Sequence, residues 1–415
     1  MGTRLTLRVP ADFVLPRDAC SYGYFLLAPN HWDAHTRTLR RALDLPGGPT
    51  TVVISQGEAC RPGEPLRVAA DRTLAPRDRA RARRQIARML RLDEDESHTA
   101  AFHRVDRRWK RSGRARLFRS PTLFEDVVKT VTSCNVAWPS TVTMNRRLCE
   151  VLGRAGAFPT PERMARTRPN TLRARCRVGY RDARLVALAR LFARGEIDEA
   201  WLESPDTSDD DAFEFLLTLP GIGPYAAANI MQLLGRYSRL ALDTESVRHA
   251  RTVLGYDGTD AEVLRRLKTH YEPFGEHKFR SYWFELWRFY ERKRGPAHTW
   301  QRERVENTFT ASKLGSPRPP RHHGRLWNRG ASHRQTTRPL HAIAPRAPLQ
   351  AQAATLCPHF PVSSTIPSRI AATPPAFRAV IGSCSTIAAS TAATAGASAN
   401  AIGLTREISP RCNAV

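Results

Sequence analysis

The 415-residue sequence contains no CxxC pair and no other cysteine spacing suited to a metal; its eight cysteines, at positions 20, 60, 134, 149, 176, 357, 384 and 412, are scattered. That excludes the common zinc frameworks, and in a chain long enough to fold by burial the cysteines read as reduced, mostly buried thiols. Neither a metal nor a cofactor is expected. Long apolar runs are also missing. Nothing approaches the roughly 18 residues of a membrane span, and the N-terminus lacks the apolar h-region of a signal peptide, so the expectation is a soluble, cytoplasmic protein with no membrane partner. The opening MGTRLT fits a myristoylation pattern at Gly2, but that pattern is permissive and a strand is expected within a few residues. Acidic residues are in short supply: Asp plus Glu is 39 against 65 for Lys plus Arg, a formal charge of +26. Such a surplus implies a polyanionic partner without saying which one.

From Thr3 to Asp71 the text reads as short strands, around Tyr22–Leu27, Thr36–Ala42, Thr51–Ser55 and Leu66–Ala70, broken by clusters such as Pro46-Gly47-Gly48. After Pro76 the period changes. Ile86, Met89, Leu90 and Leu92 recur among arginines, and helical patterns follow around 122–134, 139–152, 182–194, 211–218, 224–235, 244–254, 259–270 and 278–293. The fold class is therefore α+β and mainly α, with a small antiparallel β domain over 1–75 and an all-helical domain over 76–300. Beyond Trp300 only three acids remain (Glu303, Glu306, Glu407) and 385–401 is nearly all Ser, Thr, Ala, Gly and Ile. A low-complexity basic tail over 301–415 cannot bury enough apolar surface to offset chain entropy, and disorder is expected there. It reads either as an arm adding phosphate affinity or as sequence with no selected role.

Between two helical patterns stands Leu219-Pro220-Gly221-Ile222-Gly223-Pro224-Tyr225-Ala226. Glycine adopts positive φ without strain and admits a close backbone approach, while the amides that open a helix are unpaired donors with partial positive charge. A turn of this kind grips a phosphate. An isolated GxG would more often serve packing alone, but here Leu219, the Gly-Ile-Gly turn and Ala226 complete the LPGxGxxA form. The segment Leu242-Asp243-Thr244-Glu245-Ser246-Val247-Arg248-His249 follows.

On these residues the chain resembles the helix-hairpin-helix (HhH-GPD) DNA glycosylase superfamily over about residues 10–300, in particular the branch of 3-methyladenine glycosylase II and 8-oxoguanine glycosylase. The resemblance implies double-stranded DNA carrying a damaged base as partner, a monomer, and Asp243 as catalytic carboxylate. It implies DNA contacts at Leu219, Gly221, Ile222, Gly223, Tyr225, Ala226 and Arg248. Two further segments, Thr132-Ser133-Cys134-Asn135 and Val178-Gly179-Tyr180-Arg181, match places where this branch meets the gap and the opposite strand, which adds Asn135, Tyr180 and Arg181. Endonuclease III and its relatives carry four cysteines for an iron-sulfur cluster directly after the helices; here the next cysteine after Cys176 is Cys357, and no cluster is expected.

Cleaving an N-glycosidic bond builds positive charge on the sugar, which a fixed carboxylate stabilises. Asp243 suits that task and equally suits capping the helix after it. A helix N-terminus favours an ionised carboxylate by about 0.3–1 kcal/mol, so Asp243 is expected to be charged. In members that also nick the strand, a lysine two residues past the second hairpin glycine forms a Schiff base; Tyr225 stands there, and a phenol forms no imine. Asn135 and Tyr180 either fill the gap left by an extruded base or serve local packing. Of the many aromatic residues, among them Tyr22, Tyr24, Phe25, Trp138, Tyr282, Trp283 and Trp287, most read as core, and the Tyr282, Leu286, Phe289 stripe as packing. Trp138, three residues beyond Asn135, and Tyr225 are the pocket candidates. Ser140 stands where the oxidised-guanine branch has an arginine for the orphaned cytosine, which points toward removal of an alkylated base, with an oxidised or deaminated base, or DNA binding without catalysis, as the alternatives.

Overall fold

The structure, a computed structural model, describes residues 2–94 and 96–301; the expected tail lies outside them. Five strands, β1 (Arg4–Leu7), β2 (Asn30–Asp33), β3 (Thr38–Leu45), β4 (Gly48–Gln56) and β5 (Leu66–Ala70), form one antiparallel sheet in the order β1-β5-β4-β3-β2. β3 and β4 alternate buried and partly exposed residues, the period-two pattern that turns one face to a core. They are joined by Pro46-Gly47, with Leu45 opposite Gly48.

Ten helices of ten or more residues are described: α1 (Pro76–Leu90), α2 (Glu96–Val105), α3 (Leu123–Ser133), α4 (Trp138–Leu152), α5 (Asp182–Ala193), α6 (Asp209–Thr218), α7 (Pro224–Leu234), α8 (Thr244–Val253), α9 (Asp260–Tyr271) and α10 (Lys278–Arg294). None is long and apolar enough to cross a membrane. The α+β, mainly α architecture is the expected one. Two local expectations fail. The segment Tyr22–Leu27 is no strand: Gly23–Leu26 is a 3-10 turn. Tyr22, Tyr24, Phe25, Leu26 and Leu27 are all buried, so the stretch has no exposed face to alternate with. The strand expected at Thr36–Ala42 begins at Thr38, because Asp33 accepts hydrogen bonds from the amides of His35 and Thr36 and holds a turn there.

The apolar side chains form two clusters. One joins the sheet (Leu39, Leu43, Val52, Ile54) to α1, α9 and α10; the other lies among α3, α4, α5, α6 and α7. α7 belongs to both, through Ala228 and Leu233 on one side and Ala226, Ala227 and Ile230 on the other. A buried polar bridge ties the sheet to α3. Asn30 on β2 accepts from Arg41 on β3 at 2.7 Å, Arg41 meets Glu125 at 2.5 Å, and Lys129 meets Glu125 at 2.7 Å. Burial raises the Glu125 pKa, but Arg41 and Lys129 more than offset it, leaving the carboxyl below its ordinary value.

Removing one partner of such a buried set leaves uncompensated charge. Arg41→Ala is expected to lower unfolding stability by about 3 kcal/mol or more, read as the denaturant midpoint at unchanged slope. A shift within a few tenths of a kcal/mol, the scale of a surface substitution, would contradict the assigned role.

Candidate active site

The Gly-Ile-Gly turn links α6 to α7. Leu219 ends α6 in an extended conformation, and the Ile222 amide donates to the Leu219 carbonyl at 3.1 Å. Gly221 has φ +79°, a conformation that disfavours a side chain, and a Cβ there would lie 2.6 Å from Arg184 Cδ. Gly223 caps α7 without a side-chain hydrogen bond, and a Cβ on it would meet nothing within 4 Å. The α7 N-terminus is thus open to an anion. Leu219 and Ile222, expected among the DNA contacts, have buried side chains in the second core. They anchor the turn from beneath, and so does Ala226, which is also buried. Any phosphate contact at these three positions is made by backbone.

Asp243 is the N-cap of α8. Its Oδ1 accepts from the amides of Glu245 at 3.0 Å and Ser246 at 3.1 Å and from Ser246 Oγ at 3.2 Å, while the Asp243 amide donates to Ser246 Oγ at 3.0 Å. Tyr282 Oη lies 2.7 Å from Ser246 Oγ. With the serine proton on Asp243, the tyrosine donates to the serine, and the three form a chain ending on the carboxylate. Oδ2 makes no hydrogen bond to the described residues, and Asp243 has no cationic partner among them. Burial is the largest influence on the charge of Asp243 and raises its pKa; the bonds from Ser246 and Glu245 only partly oppose this.

Asp243 lines a cavity of about 860 Å³. The same wall includes Asn135, Trp138, Gly221, Gly223, Tyr225 and Ala226, so the hairpin, the segment after α3 and the carboxylate converge in space although Asn135 and Asp243 are 108 residues apart in sequence. Nine aromatic residues line it: Tyr22, Tyr24, Trp138, Tyr225, Phe279, Tyr282, Trp283, Trp287 and Tyr290. Its charged lining residues are Asp243 and Glu245, and no Lys, Arg or His is among the lining residues. Glu245 is already engaged, by Arg248 at 2.5 Å and by the Tyr290 hydroxyl. Burial raises the phenols of Tyr22, Tyr225 and Tyr282, so they are neutral at ordinary pH. At the floor, Asn229 Oδ1 accepts from Tyr22 Oη at 2.7 Å and its Nδ2 reaches Tyr24 Oη at 3.3 Å and Thr130 Oγ1 at 3.1 Å.

The other expected residues divide. Asn135 is exposed at the cavity rim with φ +52°, a left-handed conformation uncommon outside glycine. Trp138 opens α4, and its indole packs on Gly23, where a Cβ would lie 3.1 Å from Cη2. Tyr180 is 54% exposed rather than packed inside. The guanidinium of Arg184 lies 5.6 Å from its ring centre, and the same side chain borders Gly221, which brings Tyr180 and the hairpin onto one surface. Arg181, expected among the DNA contacts, has its side chain turned inward. It is buried, and its guanidinium donates to the carbonyls of Val131 at 3.1 Å and Cys134, closing the C-terminal end of α3 just before Asn135. Arg248 is turned to Glu245 and lies 4.2 Å from the Phe289 ring centre; neither Arg248 nor Tyr180 lines the cavity. Tyr22, Tyr24, Tyr282, Leu286, Trp283 and Trp287, read from sequence as core or packing, form cavity wall. Their helical or clustered spacing is the same for either role, so only the tertiary arrangement separates the two. Glu245 and Asn229 carried no signal of their own.

No protein-family model matches the chain, and no curated protein matches it. Solved structures do. MBOgg1 in complex with a low-affinity DNA ligand has a TM-score of 0.51 at 18% identity, the match covering 70% of this chain and 97% of that one. The apo form of the Clostridium acetobutylicum 8-oxoguanine glycosylase/lyase has a TM-score of 0.50 at 16% identity, covering 69% of this chain and 98% of that one. The 3-methyladenine DNA-glycosylase of Archaeoglobus fulgidus has a TM-score of 0.47 at 19% identity, covering 69% and 99%. At such identities the likeness is one of architecture: the chain has the fold of the helix-hairpin-helix DNA glycosylases.

Proposed function

We propose that the protein is a monofunctional DNA glycosylase that hydrolyses the N-glycosidic bond of a damaged, alkylated base in duplex DNA. The observation that carries this reading is Asp243, a half-buried carboxylate with no cationic partner, on an aromatic cavity beside a hairpin whose helix N-terminus is open to phosphate. The base leaves the stack and enters the cavity at a cost of a few kcal/mol, with Asn135 and Tyr180 placed to support the distorted duplex. The bond from the sugar to the base breaks, and the developing positive charge on the sugar is stabilised by Asp243, held rigid by the Ser246 amide and hydroxyl. Water adds to the sugar carbon, its proton is lost, and the base leaves with the bonding electron pair. An alkylated purine carries positive charge, which electron-rich rings attract by about 0.5–2 kcal/mol each, and no cation on the wall opposes it. Tyr225 borders the hairpin where a strand-nicking enzyme has lysine, and its phenol forms no imine with the sugar. The shared fold with an 8-oxoguanine glycosylase/lyase and with a protein solved on DNA supports DNA as the partner.

On labelled duplexes carrying alkylated, oxidised or deaminated bases, the strand is expected to break at the alkylated base only after alkali. Asp243→Asn is expected to lower the rate by about 10²–10³, the scale of losing one transition-state stabiliser. Release from no duplex would leave a DNA-binding protein without catalysis. Borohydride is expected to trap no protein–DNA adduct; a trapped adduct would refute the monofunctional assignment.

The pH dependence follows from burial. Because the ionised carboxylate is the active form and its pKa is raised, single-turnover excision is expected to fall as pH drops through a value above that of an ordinary aspartate. Replacing Ser246 with alanine removes a bond that opposes the rise, so the acid limb of Ser246→Ala is expected still higher; an unmoved limb would assign it to another group.

A further inference from the structure

A second cavity, of about 370 Å³, lies where the β3–β4 hairpin, α1 and the turn after α4 meet. Arg77, Arg81 and Arg84 line it from α1, Arg154 from the turn, with Asp44 and Thr160 beside them. Spacings of four and three residues put the three α1 arginines on one helical face. All three are exposed, and their side chains make no hydrogen bond or ion pair with the described residues. The one carboxylate, Asp44, is paired with Arg154 at 3.3 Å. Like charges at this spacing repel by a few tenths of a kcal/mol per pair, a cost that a bound anion removes. Guanidinium forks match phosphate oxygens in pairs, which makes phosphate the fitting chemistry. The cavity is separate from the aromatic one: α4 starts at Trp138 on the first and ends at Leu152 near the second, a span of about 20 Å for a helix of that length.

We propose that this cavity is a second phosphate-binding site, which takes backbone phosphates of duplex DNA outside the segment held at the hairpin. The inference rests on the DNA-binding half of the proposed function and not on excision, so undamaged DNA tests it. Binding of the full chain to a short duplex and to one of several helical turns is measured across a salt series, alongside its melting with inorganic pyrophosphate at constant ionic strength. For Arg77→Gln/Arg81→Gln/Arg84→Gln the expected result is weaker binding to the long duplex, with the slope of log K against log salt shallower by roughly 2–3, about 0.9 for each phosphate no longer neutralised. The short duplex and alkylated-base excision on it are expected to be unchanged. Loss of the pyrophosphate-induced melting shift with both duplexes unaffected would keep the phosphate chemistry and assign the site to a small phosphorylated ligand, overturning the DNA source. No change in either measurement overturns the proposal. A wild-type chain that binds no DNA would instead defeat the functional reading, and the pyrophosphate arm would still decide this site. Should the triple variant not fold, Arg81→Gln alone is expected to lower the slope by about 1.

Discussion

The burial of α7 on two sides is the constraint on which the rest of the structure depends. One side belongs to the core that holds the sheet and α10, the other to the core that holds α3, α4 and α6, so the helix cannot rotate without opening a core. Its sequence suits that position: Ala226, Ala227 and Ala228 allow close approach, and Ile230, Met231 and Leu233 fill the space further along. Close-packed interiors transmit such constraints rigidly. Its N-terminus, and with it the Gly221–Gly223 turn, is therefore fixed relative to the segment after α3 and to the cap of α8, which is what a preorganised site requires.

Electrostatically the molecule is divided. The chain as a whole is strongly basic, yet the charged residues that line the aromatic cavity are carboxylates. Of these, Glu245 is matched by Arg248, and Asp243 has no cationic partner among the described residues. The basic surplus favours approach of a polyanion over a large area, while the cavity favours positive charge at one point. Two arginines near the site are consumed structurally: Arg181 holds the end of α3 and Arg248 neutralises Glu245.

Much of this was legible in the sequence, for identifiable reasons. The hairpin announces itself because the turn needs glycine at Gly221, with φ +79°, and Gly223 leaves the start of α7 bare, and Asp243 because a capping residue must stand at a helix start. β4 and β5 were readable because a sheet with one buried face forces alternation. The Tyr22–Leu27 stretch was not, since a segment buried on all sides has no period. Nor could the sequence tell that Tyr282, Trp283 and Trp287 face a cavity, because a ring against a void and a ring against a neighbour have the same spacing. Arg181 misled for a related reason: an arginine's length lets it turn inward to carbonyls as readily as outward to phosphate, and only the end of α3 decides which.

The Asn229 amide has one further consequence. Its oxygen accepts from Tyr22 and both of its amide protons are directed to Tyr24 and Thr130, so it has no proton left to donate to an incoming base. A normal base that enters gives up hydrogen bonds to water and to its complement, and each donor or acceptor left unmatched there costs about 1–3 kcal/mol. A base whose polar edge has been alkylated has fewer such groups to strand. On the proposed reading, discrimination at this floor rests on exclusion: an intact base is disfavoured by the dehydration it would suffer there.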